Sequence, residues 1–177
     1  MTKLQRWFVR LAFWGFFIFA AVDLHGAFHF LLLNSILAYV PIELSFWLTP
    51  RRSPLLFWLI AVIWLLFYPN APYLMTDLFH LSLLKPYGIN GLLRFDLPMW
   101  RDFAYLVGPM MVSTIIGTWG VDRIAQQLTQ RLHFQRLPAS RGIICAALFL
   151  FASVGVYVGR FLRLHSIYLL ITPLCTR

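Results

Sequence analysis

The chain contains 177 residues, of which 60% are hydrophobic and only 12% are charged, and its formal net charge is +9. The charged fraction is about half of the ~25% found in soluble domains, and a soluble domain of this length has too little interior for so much apolar surface. The composition therefore excludes a soluble globular protein and predicts one integral membrane domain over residues 1–177. The positive charge does not indicate nucleic-acid binding, because the arginines flank apolar runs and form no basic face with interleaved aromatic residues.

Five apolar runs are continuous rather than alternating and are of helical length, so they predict membrane-spanning helices and not strands. The first run follows a basic N-terminus. No small-residue cleavage site comes after it, which favours a retained span over a signal peptide. The predicted spans cover residues 7–22, 27–48, 55–68, 103–121 and 142–159.

Three further segments complete the predicted all-α transmembrane helical bundle. Residues 70–101 form a connector that includes a short re-entrant or interfacial helix after Pro72. Residues 122–141 are expected to form a basic loop, most of which contacts the anionic lipid headgroups of the bilayer. Residues 164–175 are too short to cross and contain Pro173, so they predict an incomplete segment that is interfacial or half-inserted.

The distribution of basic residues predicts a cytoplasmic N-terminus. The rule applies best to short loops: Arg51 and Arg52 fall in a predicted inside loop, whereas the outside turn 23–26 has no basic residue. Ionisable groups beside membrane spans are expensive and indicate a polar site. With this orientation most of them gather at the outer end of the bundle, namely Asp23, His25, Asp77, His80, Asp102, Arg160, Arg163 and His165.

The most informative stretch is 68–80, Tyr-Pro-Asn-Ala-Pro-Tyr-Leu-Met-Thr-Asp-Leu-Phe-His, where an apolar run meets polar groups. Two prolines are expected to end the apolar helix, and the asparagine can cap a new helix that tolerates proline in its first turn. Side chains three or four positions apart on that helix can touch. A structural or capping role is assigned to Pro69, Asn70, Pro72, Tyr73 and Thr76.

Three residues are candidates for a catalytic role. Asp77 and His80 are three positions apart, a spacing that lets the carboxylate orient the imidazole as a general base or a metal ligand. Asp102, at the predicted mouth of the fourth span, is a second carboxylate that could converge on Asp77. The alternative for the first pair is a capped helix whose polar side seals against other helices, and for Asp102 a helix cap.

Two arginines are candidates for anion binding. Arg160 and Arg163 are three positions apart, so both can face one partner on a continued helix, and a guanidinium binds carboxylate or phosphate bidentately. The alternatives are that they pair with Asp77 and Asp102, or that they reach the lipid headgroups. In the same region, Gly155 and Gly159 form a GxxxG pattern that predicts close helix approach.

No metal site is predicted. His25 and His29 have the spacing of two ligands on one helical face, and His80 and His165 would complete a zinc set. The chain has no HExxH motif and no cysteine–histidine framework, so hydrogen-bonded histidines are the favoured interpretation. The cofactor is left open.

Four stretches of the chain resemble a family of bacterial polytopic membrane proteins catalogued as "domain of unknown function 1361". The resemblance covers residues 33–41, 67–80, 100–102 and 159–163. It implies a multi-pass protein of the bacterial cytoplasmic membrane and no assigned activity. The family pattern continues after the two arginines with Asn-Ser-Trp-Asp, whereas this chain has His165-Ser166-Ile167-Tyr168 and lacks the acidic residue.

Three functional interpretations stay open. The first is an envelope or lipid-modifying enzyme, supported by carboxylates, imidazole and arginines at one end of the bundle. The second is a small transporter or permease-like subunit with a broken helix along the substrate path, which would need to form a homo-oligomer because the chain is short and has no internal repeat. The third is a non-catalytic assembly or scaffold protein whose charges hold the helices together.

Overall fold

The computed structural model describes residues 1–23, 30–134 and 139–161. These residues form an all-α bundle, and within them the only pairing of extended backbone is an isolated bridge between Tyr87 and Leu93. The predicted all-α helical bundle is confirmed. The predicted C-terminal segment 164–175 lies outside the described residues. The helices are α1 (Lys3–Asp23), α2 (Phe30–Trp47), α3 (Pro54–Phe67), α4 (Asn70–Tyr73), a 3₁₀ helix (Leu74–Leu84), α5 (Leu97–Arg131) and α6 (Ser140–Phe161).

Four helical segments are long and apolar enough to cross a membrane: Phe30–Trp47, Pro54–Leu84, Leu97–Arg131 and Ser140–Arg160. They contain the second to fifth predicted spans, apart from the ends of the second span. Helix α1 corresponds to the first predicted span but is not among these four, because basic residues at its start dilute its apolar character. Its 21 residues nevertheless rise about 30 Å, the thickness of a bilayer core.

The two prolines after α3 interrupt the helical hydrogen bonds without reversing the chain. Helix α3 ends at Phe67, one residue before the predicted end of the third span, yet Tyr68, Pro69 and Leu74 all keep right-handed helical backbone angles. Pro72 has no N–H to bond the carbonyl of Tyr68, and the N–H of Ala71 donates to that carbonyl instead, at 3.0 Å. The chain thus tightens and continues into the 3₁₀ helix, which ends where Lys85 adopts a left-handed φ of 45°.

Helix α5 is longer than predicted. The sequence prediction placed a basic loop at residues 122–141, but residues 122–131 are the last turns of this 35-residue helix. The prediction was wrong because charge was given more weight than spacing. Val121, Ile124 and Ala125 recur at helical intervals, are buried, and Val121 and Ile124 pack with Leu48 and Phe57 in one apolar cluster.

Helix α2 is central, since α1, α3, α4 and α5 all pack against it. Helix α4 lies where α2, α5 and α6 meet, and the 3₁₀ helix packs chiefly on α5. At this end of the bundle Leu31, Leu74 and Leu106 share an apolar cluster. We call it the Asp77 end, and we call the opposite end, where α2 finishes, the Glu43 end.

Candidate functional site

Small residues let α4 approach its neighbours closely. A Cβ built on Gly155 would lie 2.5 Å from Cγ of Pro69, and one on Gly159 would lie 3.4 Å from the ring of Tyr73. On the other side, a Cβ on Gly117 of α5 would lie 3.0 Å from Cβ of Ala71. The close approach predicted from the GxxxG pattern is therefore confirmed, and the contacts hold α4 between α5 and α6.

Polar side chains complete the hydrogen bonding around the two prolines. The amide of Asn70 donates to the carbonyl of Phe67 at 2.9 Å, and the hydroxyl of Thr76 donates to the carbonyl of Tyr73 at 2.8 Å. Pro69 occupies the N-cap position of α4, so Asn70 serves the end of α3 and does not cap α4 as expected from the sequence. The reason is that the N–H of Ala71, which in a regular helix would donate to the carbonyl of Phe67, donates to the carbonyl of Tyr68, so the Phe67 carbonyl is left for the Asn70 side chain.

Asp77 is the buried carboxylate of the site. Its residue is only 3% exposed, and Nδ2 of Asn34 on α2 donates to its Oδ2 at 2.8 Å. A buried carboxylate is stable only with hydrogen-bond donors or a counter-charge. This bond therefore ties the 3₁₀ helix to α2 across 43 residues of sequence.

His80 is half-buried and is oriented by the main chain. Its Nδ1 lies 3.0 Å from the carbonyl oxygen of Asp77, and its ring lies 4.2 Å from that of Phe30, centroid to centroid. A carbonyl oxygen can only accept, so Nδ1 carries the proton of this hydrogen bond and a neutral ring keeps its lone pair on Nε2. The sequence prediction gave the orienting role to the Asp77 carboxylate, whereas the bond that orients the ring goes to the same residue's backbone.

Asp102 and Arg160 occupy different places around this segment. The carboxylate of Asp102 bonds to the neighbouring Arg101 at 3.4 Å, and within the described part of the chain it makes no hydrogen bond to Asp77 or His80. The guanidinium carbon of Arg160 lies 5.2 Å from the ring centroid of Phe79, two residues beyond Asp77. Arg160 therefore contacts the segment that carries Asp77, whereas Asp102 is bonded to neither Asp77 nor His80.

Other predicted ligands fall outside the described residues. These are Arg163 for the anion site and His25, His29 and His165 for the metal set. Among the residues described, the structure contains no group of three or more histidine, cysteine or acidic side chains that could hold a metal ion.

A second polar cluster, which was not predicted from the sequence, lies at the Glu43 end. Glu43 accepts four hydrogen bonds: from Nε and Nη2 of Arg10 at 3.0 and 2.6 Å, from the hydroxyl of Tyr39 at 2.8 Å and from Nε1 of Trp47 at 2.7 Å. The signal was the four-residue spacing of Tyr39, Glu43 and Trp47 on one helical face. With four donors, the carboxylate is satisfied within the protein, and the cluster locks α1 to α2.

Arginines at the Glu43 end also bond within the protein. Arg141 at the start of α6 forms a two-pronged ion pair with Asp122 of α5. Arg123 donates to the carbonyl of Ser45 at 3.0 Å, and Arg131 donates to that of Pro50 at 2.8 Å. These charges therefore fasten helix ends and loops together.

Comparison with known proteins places the chain in a family without giving it an activity. Neither the curated proteins nor the solved structures contain a match. The sequence profile described as "Protein of unknown function (DUF1361)" matches residues 33–176, which include nearly all of α2, the whole of α3 to α6 and the Asp77 site. The chain belongs to this DUF1361 family.

Proposed function

We propose that the protein is a multi-pass protein of the bacterial cytoplasmic membrane that modifies an envelope lipid at the Asp77 end. The N-terminus is on the cytoplasmic side in this proposal, so the Asp77 end faces outward and the Glu43 end faces the cytoplasm. Basic residues outside the ion pairs at the inner face, such as Lys3 and Arg51, contact anionic headgroups there.

The geometry of His80 carries the proposal. A half-buried imidazole whose Nδ1 is bonded to a carbonyl presents the lone pair of Nε2 as a base, which is how many enzymes orient a catalytic histidine. The ring is also held by its contact with Phe30. A histidine fixed on both counts is positioned for proton transfer, whereas a purely space-filling ring needs no such orientation.

The neighbouring residues take supporting roles. Asp77 is a positioning residue, because its bond to Asn34 holds the 3₁₀ helix that carries His80. Arg160, beside Phe79, and Arg163 bind the phosphate of the lipid. Asp102 is given no role in this reaction, because its carboxylate is paired with Arg101 and is not bonded to Asp77 or His80.

A second candidate is a non-catalytic assembly protein. The burial of Asp77 at 3% exposure favours it, because a carboxylate that serves only to join two helices has no need to meet solvent or substrate. The two candidates differ in what happens when His80 is replaced.

The test compares lipid extracts from a strain in which the gene is deleted. Wild-type protein is expected to restore a lipid species that the deletion strain lacks, and His80→Asn is expected not to restore it. The matched control is His133→Asn, a histidine exposed at the end of α5. Identical lipid profiles with and without the gene, by mass spectrometry, would refute the enzyme and leave the assembly protein.

A further inference from the structure

An apolar groove lies between α1 and α5. Both helices pack on α2, and they contact each other less than either contacts α2. The groove has a volume of about 270 Å³. On one side it is walled by the rings of Phe13, Phe16 and Phe19, and on the other chiefly by Tyr105, Gly108 and Pro109.

The size of the groove suits a single acyl chain. It follows α1 from Ala12 to Phe19, a rise of roughly 10 Å, or about two thirds of the hydrocarbon depth of one leaflet. A helix of that length and 10–12 Å across would need roughly three times the volume. A second copy of the chain would therefore rest on the rim, whereas one lipid tail fits inside.

The groove opens beside a cluster of charges at the Asp77 end. The hydroxyl of Tyr105 donates to Asp23 at 3.3 Å, and the guanidinium of Arg101 lies over the Tyr105 ring, 5.8 Å from its centroid. Asp102 is bonded to Arg101, so one cation and two carboxylates are linked to Tyr105, which lines the groove. The side chain of Arg101 is 56% exposed and can still donate hydrogen bonds to a further anionic group.

The charged side chains at the mouth of the groove determine which lipid headgroup is preferred. Lipid tails are as apolar as the groove wall, so the tail alone gives little selectivity within a bilayer. A headgroup with a phosphate and a primary ammonium complements the mouth, with the phosphate at Arg101 and the ammonium at Asp23 and Asp102. A headgroup with only negative charge meets one cation and two carboxylates and is disfavoured.

We propose that the α1–α5 groove binds one phospholipid of the phosphatidylethanolamine class, with an acyl chain along Gly108 and the headgroup at Arg101 and Asp23. This site requires none of the residues that take part in the proposed reaction, which are Asp77, His80, Arg160 and Arg163. It shares with the proposed function only the embedding of the bundle in a bilayer.

The test uses the purified full-length protein and native mass spectrometry. The protein is titrated with an equimolar mixture of phosphatidylethanolamine and phosphatidylglycerol that carry the same acyl chains. Wild-type protein is expected to retain phosphatidylethanolamine about tenfold better than phosphatidylglycerol, and Asp23→Asn is expected to remove most of that preference. Equal retention of the two lipids by wild-type protein would overturn the headgroup assignment.

Filling the groove tests the position of the tail. A Cβ on Gly108 meets no atom within 4 Å, so Gly108→Leu should fold and occupy the tail site, reducing phosphatidylethanolamine retention about tenfold. The matched control is Gly15→Leu, which also has open space but lies outside the groove. A second pair is Val112→Trp in the groove wall and Ile115→Trp, exposed beside it.

Two results would contradict the groove as a lipid site. One is equal lipid retention by Gly108→Leu and Gly15→Leu, together with equal retention by the tryptophan pair. The other is a dimer that Gly108→Leu abolishes while lipid retention stays unchanged, which would assign the groove to a second copy of the chain.

Discussion

Replacing Gly155 by alanine tests whether close packing of α6 on α4 positions the Asp77 segment. The added methyl group would lie 2.5 and 2.7 Å from two carbons of the Pro69 ring, whereas carbon atoms in contact are normally about 3.5–4.0 Å apart. The proline ring is rigid and cannot rotate away. Helix α6 must therefore move by about 1 Å, or α4 must be displaced.

The size of the effect follows from two opposing terms. Overpacking of this kind costs typically 1–3 kcal/mol, and the rigid neighbour favours the upper part of that range. Alanine gains about 1 kcal/mol over glycine in a helix interior. Gly155→Ala is therefore expected to lower the free energy of unfolding by about 2 kcal/mol, which corresponds to about 4–8 °C in melting temperature for a chain of this size.

Thermal unfolding in detergent, followed by circular dichroism, measures the change. Gly15→Ala in α1 is the matched control, because its Cβ meets nothing within 4 Å, and it should unfold at or slightly above the wild-type temperature. A Gly155→Ala protein as stable as Gly15→Ala would refute the packing of Pro69 on α6. In that case close contact with α6 could not be what holds α4 in position.

Three further predictions concern the Glu43 end and the orientation. Glu43→Ala leaves Arg10 without its carboxylate partner and should lower the free energy of unfolding by about 3 kcal/mol, measured by thermal unfolding. A decrease below about 1 kcal/mol would contradict the role of this ion pair in joining α1 to α2. Asp122→Asn breaks a half-exposed ion pair and should cost less than about 1 kcal/mol in the same assay, and a loss several times larger would show that the pair is not screened. Reporter fusions should place Ser53 in the cytoplasm and Asn90 outside, and the opposite pattern would invert the orientation.

Sequence reasoning located the helices well because lipid-exposed and buried faces of a span are both apolar. The predicted run 142–159 lies entirely within α6 (Ser140–Phe161), and α3 ends just before Pro69 as expected. The error at residues 122–131 arose because charged residues were interpreted as a loop, although the buried Ile124 and Ala125 recur at helical spacing. A helix after Pro72 was predicted, but as a re-entrant or interfacial one, and its continuation from α3 was missed because a proline removes one hydrogen bond but does not dictate a turn.

The candidate site was only partly predictable from the sequence. The stretch with Asp77 and His80 stood out because its polarity interrupts two apolar runs. Its actual partners did not, since Asn34 lies 43 residues away and no local pattern announces a bond between them. The bond of His80 to a main-chain carbonyl also leaves no sequence signal, because every residue has a carbonyl.

The chemical role of His80 and the positioning role of Asp77 are tested most directly by separating activity from stability. The measurement is lipid conversion per amount of folded, membrane-inserted protein for Asp77→Asn and His80→Asn, with the melting temperature of each. The prediction is that His80→Asn accumulates and melts within about 4 °C of wild type, since it loses about one modest hydrogen bond, yet converts no lipid. Full conversion by His80→Asn, or failure of both variants to accumulate, would contradict a catalytic site. Asp77 and His80 would then have only a structural role in holding the helices together.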